Sequence, residues 1–437
     1  MYSKDLERLL QKLNVSLGDR IHVKNSDFDI EGLLMPRAKE SEILVIKMDT
    51  GYNVGINSKH AEIKLIKKQG LANKQPEKDI HRGDVALLSC GGTIASKIDY
   101  KTGAVFPAIS PSEFRASFPQ INEIATIHTK NLFSLLSEDM NPAHWEIIAK
   151  AIVDEINEGV KGVVLMHGTD TIHYTSSALS FMCQNLPVPV IFVGSQRSSD
   201  RPSSDNQMNL LNSIYSAKKD FAEVAICMHA TVNDNFCHLY RGTRARKMHS
   251  SRRDAFGSIN SLPLAKVDYK TNMFEKISEY KQFDKTKTLK VDTKVNNNVA
   301  LVYVHPNIKP NLISSLSDYD GVVLIGTGLG HVPTNSSNDK NSVSILNEVK
   351  NLVDSNIPVV MTTQTISGRV NLDVYAAGRL LNDVGVLGHN LDIIPETAFT
   401  KLSWILGHTK DMKKIKEEYY TNYAGEFSER SAFEVTI

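Results

Sequence analysis

Two patterns of apolar and polar residues divide this chain. In the first, over residues 1–80, a charged stretch (MYSKDLERLLQKLNV) with room for one short helix precedes GDRIHVK, FDIEGLLMP, EILVIKM and HAEIKLIKK. Apolar residues alternate with polar ones in these runs, and turn residues separate them. That predicts a small antiparallel sheet or barrel. The stretch from Lys67 to His81, KKQGLANKQPEKDIH, is polar and reads as a linker.

From Gly83 the pattern changes to short, nearly continuous apolar runs: VALLSC (85–90), GVVLM (162–166), VPVIFVG (188–194) and EVAICM (223–228). Between them, PAHWEIIAKAIVDEINEG places Trp145, Ile148, Ala149, Ile152 and Ile156 on one helical face. Buried strands alternating with amphipathic helices predict a mainly parallel sheet covered on both faces. A second such unit starts near Val299 with VALVYV, GVVLIG and IPVVMTT. The polar segment YKQFDKTKTLKVDTKVNNN before it puts a boundary near 285–297. The expected architecture is α/β. A small β-barrel-like domain and linker (1–80) precede one α/β domain (81–290) and a smaller C-terminal α/β domain (291–437).

Composition narrows the function classes. The 41% hydrophobic and 23% charged residues suit a soluble globular protein. Fifty basic against 49 acidic side chains leave a formal net charge of +1, so no global field draws the chain to nucleic acid or an anionic membrane. Cys90, Cys183, Cys227 and Cys237 form no close pair of the zinc or redox kind. The N-terminus has no apolar core of a secretory signal, and no apolar run approaches the ~20 residues of a membrane helix. The expected compartment is the cytoplasm.

In open α/β sheets, ligands bind beyond the carboxyl ends of the strands. The first strand runs into GGTIAS (91–96), where Gly91 and Gly92 permit a sharp turn and leave N–H groups free to approach a ligand. Thr93 follows. The strand GVVLM runs into HGTDT (167–171), with Thr169 beside Asp170. Either motif alone is the capped turn of a following helix. Finding both at equivalent ends of one sheet weighs against that reading.

In this order and spacing, GGTIAS and HGTDT resemble the two signature sequences of the bacterial-type L-asparaginase and glutaminase family. SEDM (137–140) and VGSQR (193–197) followed by SSDNQMNLLNSI (203–214) also match its pattern, and the resemblance covers roughly 83–420. It implies an asparaginase-like fold that hydrolyses a side-chain amide. Thr93 then looks like the nucleophile that forms an acyl-enzyme, and Tyr100 like the loop tyrosine that assists it. Thr169, Asp170 and Lys247 resemble the second Thr-Asp-Lys set. Ser137, Glu138, Asp170 and the Gly92 turn would hold the substrate. No metal or other cofactor is implied for this chain.

Elementary chemistry agrees with these roles. A threonine hydroxyl is a poor nucleophile until a base takes its proton. A free lysine has a pKa of ~10.4, so Lys247 acts as a base only if desolvated or crowded by positive charge. The segment RGTRARKMHSSRRDAF offers such charge through Arg241, Arg244, Arg246, Arg252 and Arg253. The same run is compatible with an RNA contact, or with arginines satisfying loop carbonyls and nearby carboxylates. GTGLG (326–330) is not followed directly by a helix and reads as a loop. His167, His229 and His249 lack metal-ligand spacing.

Two features depart from plain asparaginases: the segment preceding the nucleophile strand, and the basic composition around Lys247. With GRVNLDVY (368–375), they resemble the amidase subunits of archaeal tRNA-dependent amidotransferases. That resemblance implies ammonia release from glutamine or asparagine for a partner, the E-type subunit of the same amidotransferase. The partner would use ATP and Mg2+ to convert Glu-tRNA(Gln) to Gln-tRNA(Gln). The resemblance also implies a homodimer within a heterotetramer, with each active site between one copy's N-terminal α/β domain and a neighbour's C-terminal domain. The chain contains no G-x-x-x-x-G-K-[ST] phosphate loop, consistent with activation elsewhere. The alternatives are a free-standing cytosolic L-asparaginase/glutaminase and a non-catalytic binding protein on the same scaffold.

Overall fold

The computed structural model describes residues 2–35, 41–48, 53–68, 83–98, 105–107, 120–198 and 203–431. Helix α1 (Lys4–Lys12) starts at Ser3, whose hydroxyl accepts the Leu6 N–H. Five antiparallel strands follow: β1 (Arg20–Lys24), β2 (Asp29–Met35), β3 (Ile43–Lys47), β4 (Asn53–Asn57) and β5 (Glu62–Lys67), ordered β4-β3-β2-β1-β5. The period-2 pattern places Ile21 and Val23 of β1 inside with Leu34, Leu44, Ile46 and Ile56, and α1 adds Leu6 and Leu10. Polar positions of β1 face outward, where Arg20 pairs with Glu31 and Lys24 with Asp29.

An eight-stranded sheet carries the next region. Its strands are β6 (Val85–Gly91), β7 (Ile127–Leu135), β8 (Gly162–Met166), β9 (Val190–Val193), β10 (Val224–His229) and β11 (Cys237–Arg241). A separate small hairpin, β12 (Ala245–Lys247) and β13 (Phe256–Ser258), precedes its last two strands, β14 (Ala265–Asp268) and β15 (Met273–Lys276). The order is β15-β14-β11-β10-β9-β8-β6-β7. The five strands from β7 to β10 are parallel, and β11, β14 and β15 extend the sheet antiparallel. The mainly parallel pairing expected of the apolar runs holds for these five strands, and three short strands of mixed polarity continue the sheet antiparallel beyond them.

Helix α2 (Pro142–Asn157) buries Trp145, Ile148, Ala149 and Ile152, as its spacing predicts. Its start is fixed by Asn141, whose side chain accepts the Ala143 N–H, while His144 Nδ1 accepts the Asn141 N–H. Helix α3 (Ile172–Met182) is buried along nearly its whole length, and α4 (Asn206–Ser216) is similarly enclosed. The C-terminal sheet is parallel, ordered β16 (Val299–Tyr303), β17 (Gly321–Gly326), β18 (Val359–Thr363).

Helix α5 (Pro395–Leu406) joins the two regions. Ser177 of α3 hydrogen-bonds Thr397 and Thr400, and Phe181 stacks on Trp404 with ring centroids 5.9 Å apart. One apolar core therefore runs from Leu165 and Phe192 to Val323 and Leu402. The fully buried Lys401 ammonium donates to Tyr419 O, Thr421 O and Glu426 Oε1, tying the C-terminal segment to α5. The turn at 326–330 closes through Gly330 and His331 N–H bonds to Thr327 O, and is a loop as read. All four cysteines are buried and free. No helix of the described residues is long and apolar enough to cross a membrane.

Candidate active site

Three loops converge at the carboxyl ends of adjacent parallel strands: 91–95 after β6, 136–140 after β7 and 167–171 after β8. Glycines make the approach possible. Gly92 has φ +83°, and a Cβ there would lie 2.4 Å from the Gly168 backbone. A Cβ on Gly168 would in turn lie 2.6 Å from Ser137 Cβ. Thr93 and Thr169 each directly follow one of these two touching glycines. The Gly92 N–H donates to Leu135 O at 3.0 Å. Its contribution is thus close backbone approach and loop registry, where a free donor was expected.

Thr93 begins a 3-10 turn (Thr93–Ala95) and is half-buried. That turn is anchored from α4, where the buried Asn206 side chain donates to Ile94 O at 2.8 Å. The preceding Asp205, also buried, accepts from Ser195 Oγ and from the Gln196 and Arg197 N–H groups. These two adjacent residues fix the strand-loop-helix passage behind the Thr93 turn. In the sequence Asp205 and Asn206 stand only within the run SSDNQMNLLNSI, and their burial at the helix start is what singles them out.

The β8 loop sets the second hydroxyl. His167 is buried with Nδ1 2.8 Å from Gly168 O, and burial pushes its imidazole down to about 4, so the ring is neutral. Thr169 is buried and Asp170 exposed. Ser137 is buried, and its carbonyl accepts the Thr171 hydroxyl at 2.7 Å, while Glu138 stays exposed at the mouth. Lys247, at the end of β12, donates from Nζ to Thr169 Oγ1 at 2.9 Å and to Asp170 Oδ1 at 2.8 Å. Its side chain is 11% exposed against 66% for Asp170. A pendant amine on a threonine hydroxyl, oriented by a carboxylate, can move a proton at that oxygen. Tyr100 lies outside the described residues.

The arginines around Lys247 are each matched by a carboxylate. Arg241 pairs with Glu223 at 2.8 Å, Arg244 with Asp392 at 3.2 Å and Arg246 with Glu396 at 3.0 Å. Arg252 Nε donates to Asp254 at 2.9 Å and Arg253 Nη1 to Asp234 at 2.6 Å. Of the two readings of this basic run, the pairing of its arginines with nearby carboxylates is the one the structure shows, and the charge offered to Lys247 is offset pair by pair. His229, at the end of β10, bridges Asn209 and Asp234, and His249 Nδ1 accepts the Ser251 and Arg252 N–H groups.

This fold and this Thr-Lys-Asp arrangement define an asparaginase-type amidohydrolase, and the sequence comparisons agree. Residues 84–279 match the family model "Asparaginase, N-terminal" and 298–418 the "Glutaminase/Asparaginase C-terminal domain". The thermostable L-asparaginase of Thermococcus kodakarensis superposes with a TM-score of 0.69 at 31% identity, over 79% of this chain and 99% of that one. L-asparaginase I of Vibrio cholerae gives 0.67 at 29% identity, over 79% and 98%. Residues 15–66, which precede the asparaginase-type region, match the "GatD N-terminal domain". The chain is 44% identical to the D-type subunit of glutamyl-tRNA(Gln) amidotransferase of Pyrococcus horikoshii over 99% of both chains. It is 40% identical to that of Methanobrevibacter smithii, over 99% of this chain and 98% of the other. The chain belongs to the family of D-type subunits of glutamyl-tRNA(Gln) amidotransferase.

Proposed function

We propose that this chain is the amidase subunit of a tRNA-dependent amidotransferase, releasing ammonia from glutamine or asparagine through Thr93. Thr93 Oγ attacks the side-chain amide carbon, and the tetrahedral intermediate collapses to an ester on Thr93 with loss of ammonia. Water then cleaves the ester, freeing glutamate or aspartate and restoring the hydroxyl. Thr169, Lys247 and Asp170 act as the unit that moves the protons, and Tyr100 assists Thr93. Ser137, Glu138 and Asp170 hold the substrate's α-carboxylate and ammonium, with the Gly92 turn shaping the pocket floor. The carrying observation is the Lys247 contact to Thr169 and Asp170 beside the Thr93 turn.

The released ammonia serves a partner, the E-type subunit of the amidotransferase, which uses ATP and Mg2+ to amidate Glu-tRNA(Gln) in the cytoplasm. Identity of 40–44% to the named relatives over nearly their full lengths favours this reading over a free-standing asparaginase. Two copies of this chain form the centre of a heterotetramer, each supplying its C-terminal unit to the other's site. Exposed Ile366, Val374 and Tyr375, in the segments following β18, are apolar residues suited to such a contact. The test is ammonia release by the purified chain alone, then with partner and Glu-tRNA(Gln). Low turnover alone and strong activation by the additions are expected. Full turnover alone, unchanged by either, leaves a free asparaginase as the better account.

A further inference from the structure

Arg246 and Lys247 are consecutive residues of β12, so their side chains leave opposite faces of the strand. Lys247 reaches Thr169 and Asp170; Arg246 reaches Glu396, the second residue of α5. Glu396 is buried, and its Oε1 lies 3.0 Å from Arg246 Nε while Oε2 has no partner among the described residues. Burial pushes the Glu396 carboxyl up, and the Arg246 charge opposes that shift. Its position in the first turn of α5 adds to the support for the anionic carboxylate. His173 of α3 is buried with Nε2 3.9 Å from Glu396 Oε1, too far for a hydrogen bond. A neutral His173 leaves Arg246 as the cation that answers Glu396: burial and the nearby Arg246 and Lys247 charges push that imidazole down to about 3.

A second contact closes the base of the same hairpin. The Asp392 carbonyl, four residues before Glu396, accepts from Arg244 Nη1 at 3.2 Å and from Asn260 Nδ2 at 2.8 Å. The hairpin's ends are therefore held independently of Glu396, which grips only the strand carrying the lysine.

We propose that Glu396 is a positioning residue for the catalytic lysine, acting through Arg246 to fix the strand that aims Lys247 at Thr169 and Asp170. It contacts no reacting atom. The C-terminal unit thus takes part in each active site from within the same chain, through α5. This rests on the assignment of Lys247 to the catalytic set.

The test compares Glu396→Gln, Arg246→Gln, their double variant and Lys247→Ala in ammonia release, each with partner and Glu-tRNA(Gln) present. Glu396→Gln should lower kcat by about 10- to 100-fold with KM within about two-fold of wild type, the signature of misplaced chemistry. The double variant should be no worse than the poorer single one, because both changes break one ion pair. If Glu396→Gln does not fold, Arg246→Gln carries the same expectation, since Arg246 is partly exposed and its loss leaves the hairpin base intact. Wild-type kcat in a folded Glu396→Gln, alongside an inactive Lys247→Ala, overturns the proposal alone. Additive losses in the double variant also overturn it. Wild-type turnover in Lys247→Ala overturns both the proposal and the assignment beneath it.

Discussion

Lys247 Nζ lies 2.9 Å from Thr169 Oγ1, although 77 residues of chain separate it from Asp170, its other partner at 2.8 Å. A short hairpin strand and a strand-end loop meet to place one amine against one hydroxyl. Removing any member should disable the set: Thr169→Ala, Asp170→Asn and Lys247→Ala are each expected to lower turnover by ~10³ or more, with strongly non-additive double variants. Lys247→Arg should not restore activity, because a guanidinium stays protonated and cannot serve as a base. Steady-state ammonia release on folded variants checks this, and additive losses would count against a single unit.

Gly92 is the point where the two signature loops touch. A methyl group there meets the Gly168 backbone at 2.4 Å on a residue whose φ is +83°, so both sterics and backbone conformation oppose it. Gly92→Ala is expected to destabilise the protein by about 2 kcal/mol or more and to abolish amide hydrolysis. Thermal unfolding of the variant against wild type measures the first, and a melting temperature within a degree of wild type would contradict the account of the turn.

Stability should fall in mild acid for a reason internal to the site. His167 is pushed down to about 4 and His173 to about 3, in both cases chiefly by burial. In the unfolded chain both titrate near ~6.5. Between those values the unfolded state binds more protons, so their contribution is complete above pH ~6.5 and is lost progressively as pH falls toward 4. For His167 the effect is on the order of 3 kcal/mol. Denaturant unfolding from pH 7 to 4 should show this slope, and His167→Asn should flatten it. An unchanged slope in that variant removes His167 as a cause.

Much of the site is legible in the sequence because of where it sits. Strands β6 and β8 are buried on both faces and read as plain apolar runs, so the motifs after them are placed at one sheet edge without coordinates. Strand β7 escaped that reading. It is an edge strand whose outer half is part-exposed, and IHTKNLFSL mixes polar and apolar residues accordingly. The antiparallel strands β11, β14 and β15 escaped for a similar reason, being short and mixed. Around Lys247 the sequence left two readings of the arginine run open, because Asp392 and Glu396 arrive from about 150 residues away to meet Arg244 and Arg246. Sequence proximity records the cations and hides their partners. Asn206 was visible only as part of a helical run, since its contact to Ile94 O depends on how β6 and α4 pack.

Thr93, rather than Thr169, is expected to carry the acyl group during turnover. The measurement is mass spectrometry of the active complex quenched during turnover of glutamine, reading the peptides that contain each threonine. A γ-glutamyl ester is expected on the Thr93 peptide. It should be absent in Thr93→Ala, whose turnover should fall by ~10⁴. In Lys247→Ala little or none of the adduct should form. An adduct on Thr169, or wild-type ammonia release by a folded Thr93→Ala, would contradict the assignment outright.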